Sequence, residues 1–102
     1  MQQWFVGSTP YLQCSIYDVL GALADPATSI KITIEDPNGT EVVSSESMTQ
    51  SALYASNTGR YYYASWAITS GALTGIYKWR PETTDSSVII INQEFCFEVM
   101  DR

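Results

Sequence analysis

The sequence contains no histidine and only two cysteines among its 102 residues. Without histidine, a single chain cannot form a Ser-His-Asp or Cys-His catalytic group or a metal site with imidazole ligands. Cys14 and Cys96 are too few for a disulfide framework and have no neighbouring sulfur that would suggest a zinc site. We therefore expect two free thiols and no enzymatic activity, and we assign no catalytic residue, cofactor or metal ligand.

Paired carboxylates are the remaining source of a catalytic acid and base. Each pair lies beside a predicted turn or on the polar face of a predicted strand, where solvated side chains are the usual occupants. The pairs are Glu35 with Asp36, Glu82 with Asp85, and Glu94 with Glu98. We interpret all three as surface residues.

Basic residues and long apolar runs are also scarce. Five Lys and Arg residues stand against eleven Asp and Glu residues, which gives a net charge of −6. The basic residues are scattered, so nucleic-acid binding is disfavoured. No run of 18 apolar residues occurs, and residues 1–11 lack the basic and apolar regions of a signal peptide. We expect a whole gene product made in the cytoplasm, with no membrane partner.

The clearest pattern in the chain is a β-hairpin at residues 29–43. Ile30, Ile32 and Ile34 alternate with polar residues, which is the period of a half-buried strand. Asp36-Pro37-Asn38-Gly39 follows, where proline presets the φ angle of a type I turn and glycine tolerates the left-handed conformation after it. A return strand is expected next.

Alternating apolar or aromatic residues between turn signals predict further strands. The predicted strands are residues 11–18, 30–35, a return strand after Gly39, 59–68, 75–80 and 88–99, with residues 44–57 as a long loop or a short edge strand. Six to seven short strands without a helical period indicate an all-β, antiparallel Ig-like β-sandwich, with a small β-barrel as the alternative. We predict an N-terminal arm at residues 1–10 and a single domain at residues 11–102.

The strand phases predict which side chains form the core. The predicted core residues are Leu12, Cys14, Ile16, Ile30, Ile32, Ile34, Tyr61, Tyr63, Tyr77, Trp79, Phe95, Phe97 and Val99. Ile89 and Ile91 share the face of Phe97, so Val88 and Ile90 need a second covered surface or a bulge. Cys96 is expected to point outward.

Several aromatic and apolar side chains fall outside this core and are candidates for partner contacts, because exposed aromatic residues are enriched at interfaces. The candidates are Trp4, Phe5, Val6, Tyr11, Tyr17, Tyr62 and Trp66. Flat rings with polar edges also suit sugar binding, so a carbohydrate site is the alternative. The arm has two open interpretations: an interface with a neighbour, or an edge strand on its own sandwich.

The order of the motifs resembles a recurrent type of small domain. The motifs are Tyr17-Asp18, Asp25-Pro26, Ile30-Lys31-Ile32-Thr33-Ile34, Asp36-Pro37-Asn38-Gly39-Thr40, Met48-Thr49, Thr58-Gly59-Arg60-Tyr61-Tyr62-Tyr63, Gly75-Ile76-Tyr77 and Phe97-Glu98-Val99. They resemble the small Ig-like proteins encoded among the structural genes of tailed bacteriophages, and are similar to macroglobulin-type and other bacterial Ig-like modules.

This resemblance implies a non-enzymatic virion structural protein, an accessory subunit that binds the capsid or the neck or tail of a phage. Its expected location is the virion, and its expected partners are other virion proteins and copies of itself in a homo-oligomer. The alternative is an Ig-like adhesion module that binds carbohydrate or a cell surface. Because the family motifs are structural, the resemblance carries over no functional residue.

Overall fold

A computed structural model describes residues 2–90 and 94–101, and these ranges contain nine β-strands and no helix. The strands are β1 Gln2–Phe5, β2 Leu12–Asp18, β3 Lys31–Glu35, β4 Glu41–Ser47, β5 Thr49–Gln50, β6 Arg60–Tyr63, β7 Gly75–Glu82, β8 Val88–Ile90 and β9 Phe95–Met100. They form two sheets, with the strand orders β1-β9-β7-β3-β4 and β5-β6-β2-β8.

The strand order is that of an Ig-like β-sandwich. Strands β9, β7, β3 and β4 lie in one sheet and β5, β6 and β2 in the other, which is the Greek-key arrangement of the immunoglobulin fold. Neighbouring strands are antiparallel except β1 and β9, which are parallel. The predicted fold class is confirmed.

The core lies between the two sheets and is built from alternate residues of the facing strands. The rings of Tyr77 and Phe97 stack with centroids 5.3 Å apart, and those of Trp79 and Phe95 stack at 4.3 Å. The predicted core residues that are buried are Leu12, Cys14, Ile16, Ile30, Ile32, Ile34, Tyr63, Tyr77, Trp79, Phe97 and Val99; Tyr61 and Phe95 are partly buried against them. Period-two alternation therefore identified the packed face of each long strand.

The hairpin between β3 and β4 has the predicted turn. The amide N–H of Gly39 donates to the Asp36 carbonyl at 2.9 Å, and Gly39 has a φ of 84°. The Asp36 Oδ1 accepts hydrogen bonds from the amide nitrogens of Asn38 and Thr40, both at 2.9 Å. Because Pro37 takes the second turn position, its missing N–H leaves no donor unsatisfied here.

The predicted strand at residues 88–99 is wrong in one respect, since the structure divides it between two sheets. Strand β8 pairs with β2 in the second sheet, whereas β9 pairs with β7 in the first. The inner faces of the two sheets point in opposite directions, so the alternation restarts after the crossing. Ile89 is consequently 47% exposed, while Val88 and Ile90 pack against the core. Ile91 lies outside the described residues.

Two strand boundaries differ from the prediction. Strand β4 continues to Ser47, and Ser45 has a φ of 51° beside a register shift in the β3–β4 ladder. The Ser45 N–H donates to the buried Thr33 hydroxyl at 3.2 Å. Strand β6 ends at Tyr63 rather than at residue 68. The short strand β5 at the edge of the second sheet agrees with one of the two alternatives for residues 44–57. The described strands exceed the predicted six to seven because the prediction places β1 in the arm and joins β8 to β9 in one strand.

The N-terminal segment forms an edge strand on its own sandwich. Strand β1 pairs with β9 in the register Gln2 with Phe97 to Phe5 with Met100, and the partly buried Trp4 packs against the core. The Val6 N–H donates to the Met100 carbonyl at 3.1 Å. This arrangement agrees with the second interpretation of the arm, an edge strand on its own sandwich.

We expect Trp4→Ala to lower the free energy of unfolding by about 1 to 3 kcal/mol. A fully buried tryptophan gives larger losses, but Trp4 is partly buried and its indole N–H has no hydrogen-bond partner within residues 2–90 and 94–101, which offsets part of its packing energy. Urea unfolding of this variant beside Phe5→Ala, whose side chain is 43% exposed, measures the difference. Equal losses in the two variants would show that β1 adds nothing to the core.

Substitutions at two glycines with positive φ distinguish the cost of backbone strain from the cost of steric crowding. Gly59 has a φ of 73°, and a Cβ there would lie 2.5 Å from the Ile16 carbonyl oxygen and 2.8 Å from the Ala24 nitrogen; Gly39 has open space around it. We expect Gly39→Ala to cost about 1 to 2 kcal/mol for the left-handed backbone, and Gly59→Ala about 3 kcal/mol or more. Similar costs in chemical denaturation would contradict the close packing at Gly59.

Candidate contact surface

The outer face of the second sheet brings together several polar aromatic side chains. On β2, Gln13, Ser15 and Tyr17 alternate with buried residues, and the β2–β6 register places Tyr62 beside Gln13 and Arg60 beside Ser15. We call this surface the tyrosine face and define it by Tyr11, Gln13, Ser15, Tyr17, Tyr54, Arg60, Tyr62 and Ile89. At about 3.3 Å per residue, positions 11 to 17 of this face extend over roughly 20 Å.

One end of the tyrosine face is a stacked pair of tyrosines. The rings of Tyr11 and Tyr62 lie 5.0 Å apart at an interplanar angle of 9°, and both side chains are half-buried. Offset stacking of this kind contributes about 0.5 to 1.5 kcal/mol beyond area burial. The pair therefore presents a flat surface whose side chains are ordered before any partner arrives.

The middle of the tyrosine face holds an arginine over an aromatic ring. The Arg60 guanidinium carbon lies 4.2 Å from the centroid of the Tyr54 ring. Beside them is a pocket of about 160 Å³, lined by Gln13, Cys14, Ser15, Tyr54 and Arg60. This arrangement combines a cation–π contact with polar groups at a small concave site.

The other end of the face is formed where β8 meets β2. Tyr17 is the register partner of the exposed Ile89, and it also forms an isolated bridge with Leu23 in the crossing loop. Tyr17 is half-buried. The exposed Ile89 thus extends the tyrosine face onto β8, the edge strand of the second sheet.

Asp25 fixes the start of β6 and thereby the position of the tyrosine face. Its Oδ1 accepts hydrogen bonds from the Gly59 N–H at 2.8 Å, the Gln50 side-chain amide at 2.9 Å and the Tyr61 hydroxyl at 3.1 Å. The Gly59 N–H is the main cause of the lowered pKa of Asp25. Burial, followed by the Asp25 charge, raises the pKa of Tyr61 to about 12.

The structure places three of the seven predicted contact residues on this face: Tyr11, Tyr17 and Tyr62. The other four lie elsewhere. Trp4 and Val6 pack against the core, and Phe5 pairs in register with Met100 on β9. The outward phase predicted for Trp66 is wrong, because β6 ends before it and its ring packs 5.7 Å from Tyr77 and 6.3 Å from Phe97.

Sequence reasoning missed Tyr54, Arg60 and Ile89. Tyr54 lies in a segment with no period, so its approach to Arg60 depends on the folded path of the loop. Ile89 was assigned to the wrong face for the reason given above. The sequence pattern could have identified Arg60, since the strand phase that turns Tyr62 outward turns Arg60 outward as well.

The outer face of the first sheet has a different chemistry. Arg80 forms ion pairs with Glu35 at 3.5 Å, Glu41 at 3.6 Å and Glu82 at 3.1 Å. Asp85, considered above as a partner of Glu82, accepts hydrogen bonds from backbone N–H groups and from a serine hydroxyl. These carboxylates are engaged in contacts within the domain.

Comparisons with protein-family models, with curated proteins and with solved structures found no match. The described ranges include no helix with the length and apolar character needed to cross a membrane.

We expect Asp25→Asn to weaken the acid sensitivity of the fold. The pKa of Asp25 is lower when folded than the unfolded value of about 3.9. Its contribution to stability is therefore present above the unfolded pKa and lost as the pH falls through the folded pKa. Denaturant unfolding between about pH 5 and pH 2 should show a shallower decline in unfolding free energy for the variant.

The exposed Asp101 provides the control for this experiment. Asp101→Asn should leave the slope of unfolding free energy against pH close to that of the wild type. Wild-type and Asp25→Asn proteins with the same slope would refute the role of Asp25 as an acid-sensitive anchor of β6.

Proposed function

We propose that this protein is a non-enzymatic virion structural protein, an accessory subunit that binds the capsid, neck or tail of a tailed phage through its tyrosine face. The observation that carries the proposal is the contrast between the two outer faces. In a chain of net charge −6, the tyrosine face displays tyrosines around a single charged side chain, Arg60, whereas the Arg80 side chain on the opposite sheet is joined to Glu35, Glu41 and Glu82 in ion pairs.

The composition of the tyrosine face suits a protein partner. Tyrosine and arginine are enriched at the centres of protein interfaces, where they contribute much of the binding energy. The stack of Tyr11 on Tyr62 orders two of these side chains in advance, so less side-chain entropy is lost on binding. Such a surface supports binding with little change in shape.

The assignment to a virus particle is supported by the resemblance of the motifs to Ig-like proteins of tailed phages. A particle offers many identical sites in a lattice, so that a small interface is repeated many times and weak contacts add up when subunits are linked. Other virion proteins are the proposed partners, with copies of this chain as further contacts, and the virion is the proposed location.

We expect Tyr62→Ala to lower the affinity for the particle by about tenfold or more, the loss typical of an interface hot spot. The probe is a preparation of phage particles from a strain in which this gene is deleted, mixed with purified protein and measured by co-sedimentation. Circular dichroism confirms that each variant is folded. Tyr62→Phe, which keeps the ring, should retain most of the binding.

Val42→Ala is the matched control, since Val42 is exposed on strand β4 of the other sheet. It should bind as the wild type does. A wild-type protein that binds no capsid, neck or tail component and is absent from purified particles would overturn the proposed function. A hit on a glycan array that is lost in Tyr62→Ala would favour the adhesion module instead.

A further inference from the structure

Arg60 is a half-buried cation without a carboxylate partner among the described residues. Its Nε is buried and has no hydrogen-bond partner in the part of the chain that the structure describes. The chain has eleven acidic residues, and it surrounds Arg80 with three of them at 3.1 to 3.6 Å. The two arginines are therefore in opposite situations: Arg80 is paired within the domain and Arg60 is not.

Leaving Arg60 in this state has an energetic cost. A buried N–H without an acceptor is unfavourable relative to a paired one, because it has lost its hydrogen bonds to water without gaining another. The Tyr54 ring, 4.2 Å from the guanidinium carbon, interacts with the positive charge but offers no oxygen to the N–H donors. Guanidinium groups bind carboxylates through two parallel hydrogen bonds, a geometry that a preordered arginine favours.

The pocket beside Arg60 has room for such a carboxylate. Its volume of about 160 Å³ corresponds to roughly five water molecules at ~30 Å³ each, which is enough for a carboxyl group and a short stem. Gln13 and Ser15 also line it, and their amide and hydroxyl groups are further hydrogen-bond donors. The stacked Tyr11 and Tyr62 lie on the same face as the pocket. Their rings are available to contact apolar residues that neighbour the acidic residue in the partner protein.

We propose that this pocket receives an aspartate or glutamate side chain of the partner protein, whose carboxylate pairs with Arg60. The proposal rests on the proposed function, because it takes the tyrosine face as the docking surface. Charge complementarity selects the occupant: Arg60 is the charged member of the face, and among the described residues its Nε–H has no acceptor and its charge has no carboxylate partner.

The first test compares Arg60→Gln with the wild type in co-sedimentation with particles from the gene-deleted strain. We expect at least a tenfold loss of affinity, because the variant removes both the charge and the paired donors. Arg60→Lys should recover only part of it, since lysine keeps the charge but not the planar fork. Lys78→Gln removes an exposed cation from the other sheet and should bind as the wild type does.

The outcomes of this test separate the two proposals. If the wild type binds and Arg60→Gln binds equally well, the carboxylate site is overturned and the proposed function remains intact. Failure of the wild type to bind any particle component would overturn the proposed function, and the second test then decides the carboxylate site.

The second test uses a defined probe, the peptide acetyl-Gly-Asp-Phe-Gly-amide, with its Asn analogue as the control. In ¹⁵N NMR titrations we expect the Asp peptide to shift the Arg60 Nε–H resonance and to leave that of the ion-paired Arg80 in place. The Asn peptide should shift neither. The same response to both peptides, or no response of Arg60 to either, would overturn the proposal.

Discussion

Close backbone packing around Gly59 joins three separate parts of the chain. The Ile16 N–H donates to the Gly59 carbonyl at 2.7 Å, and the Ala24 N–H donates to the Ile16 carbonyl at 3.0 Å. Asp25 receives the Gly59 N–H on its side chain. Strand β2, the crossing loop and the start of β6 are therefore held in one place, and a side chain at Gly59 would meet backbone atoms that cannot move independently. The tyrosine face depends on this contact, because five of its eight residues lie on β2 and β6.

The outer faces of the two sheets carry different kinds of side-chain contact. On the first sheet, Arg80 of β7 pairs with Glu35 of the neighbouring strand β3 and with Glu82 of its own strand. Such a surface is well solvated and gives an approaching protein few unsatisfied groups. The second sheet carries the stacked rings of Tyr11 and Tyr62 and an arginine with no carboxylate partner among the described residues. This asymmetry is the basis for proposing the second sheet as the docking side.

The sequence predicts most of the core and little of the candidate surface. Alternation and turn chemistry are local, so Ile32, Ile34 and the Asp36 turn could be identified from a few neighbouring residues. The pairing of β1 with β9 and the sheet change after Ile90 depend on contacts between distant segments, and no local period reports them. The pocket at Arg60 depends on a loop that brings Tyr54 back over β6, which is a consequence of the folded chain path.

The parallel pairing of β1 with β9 has a consequence for the order in which the domain is completed. Gln3 hydrogen-bonds to Glu98 across 95 positions of sequence, so β1 cannot pair until β9 has been synthesised. Until then, Trp4 and its neighbours have no sheet to join and are exposed to solvent or to chaperones. The edge of the first sheet can close only after translation has passed Met100, so the first strand of the domain is among the last to join a sheet.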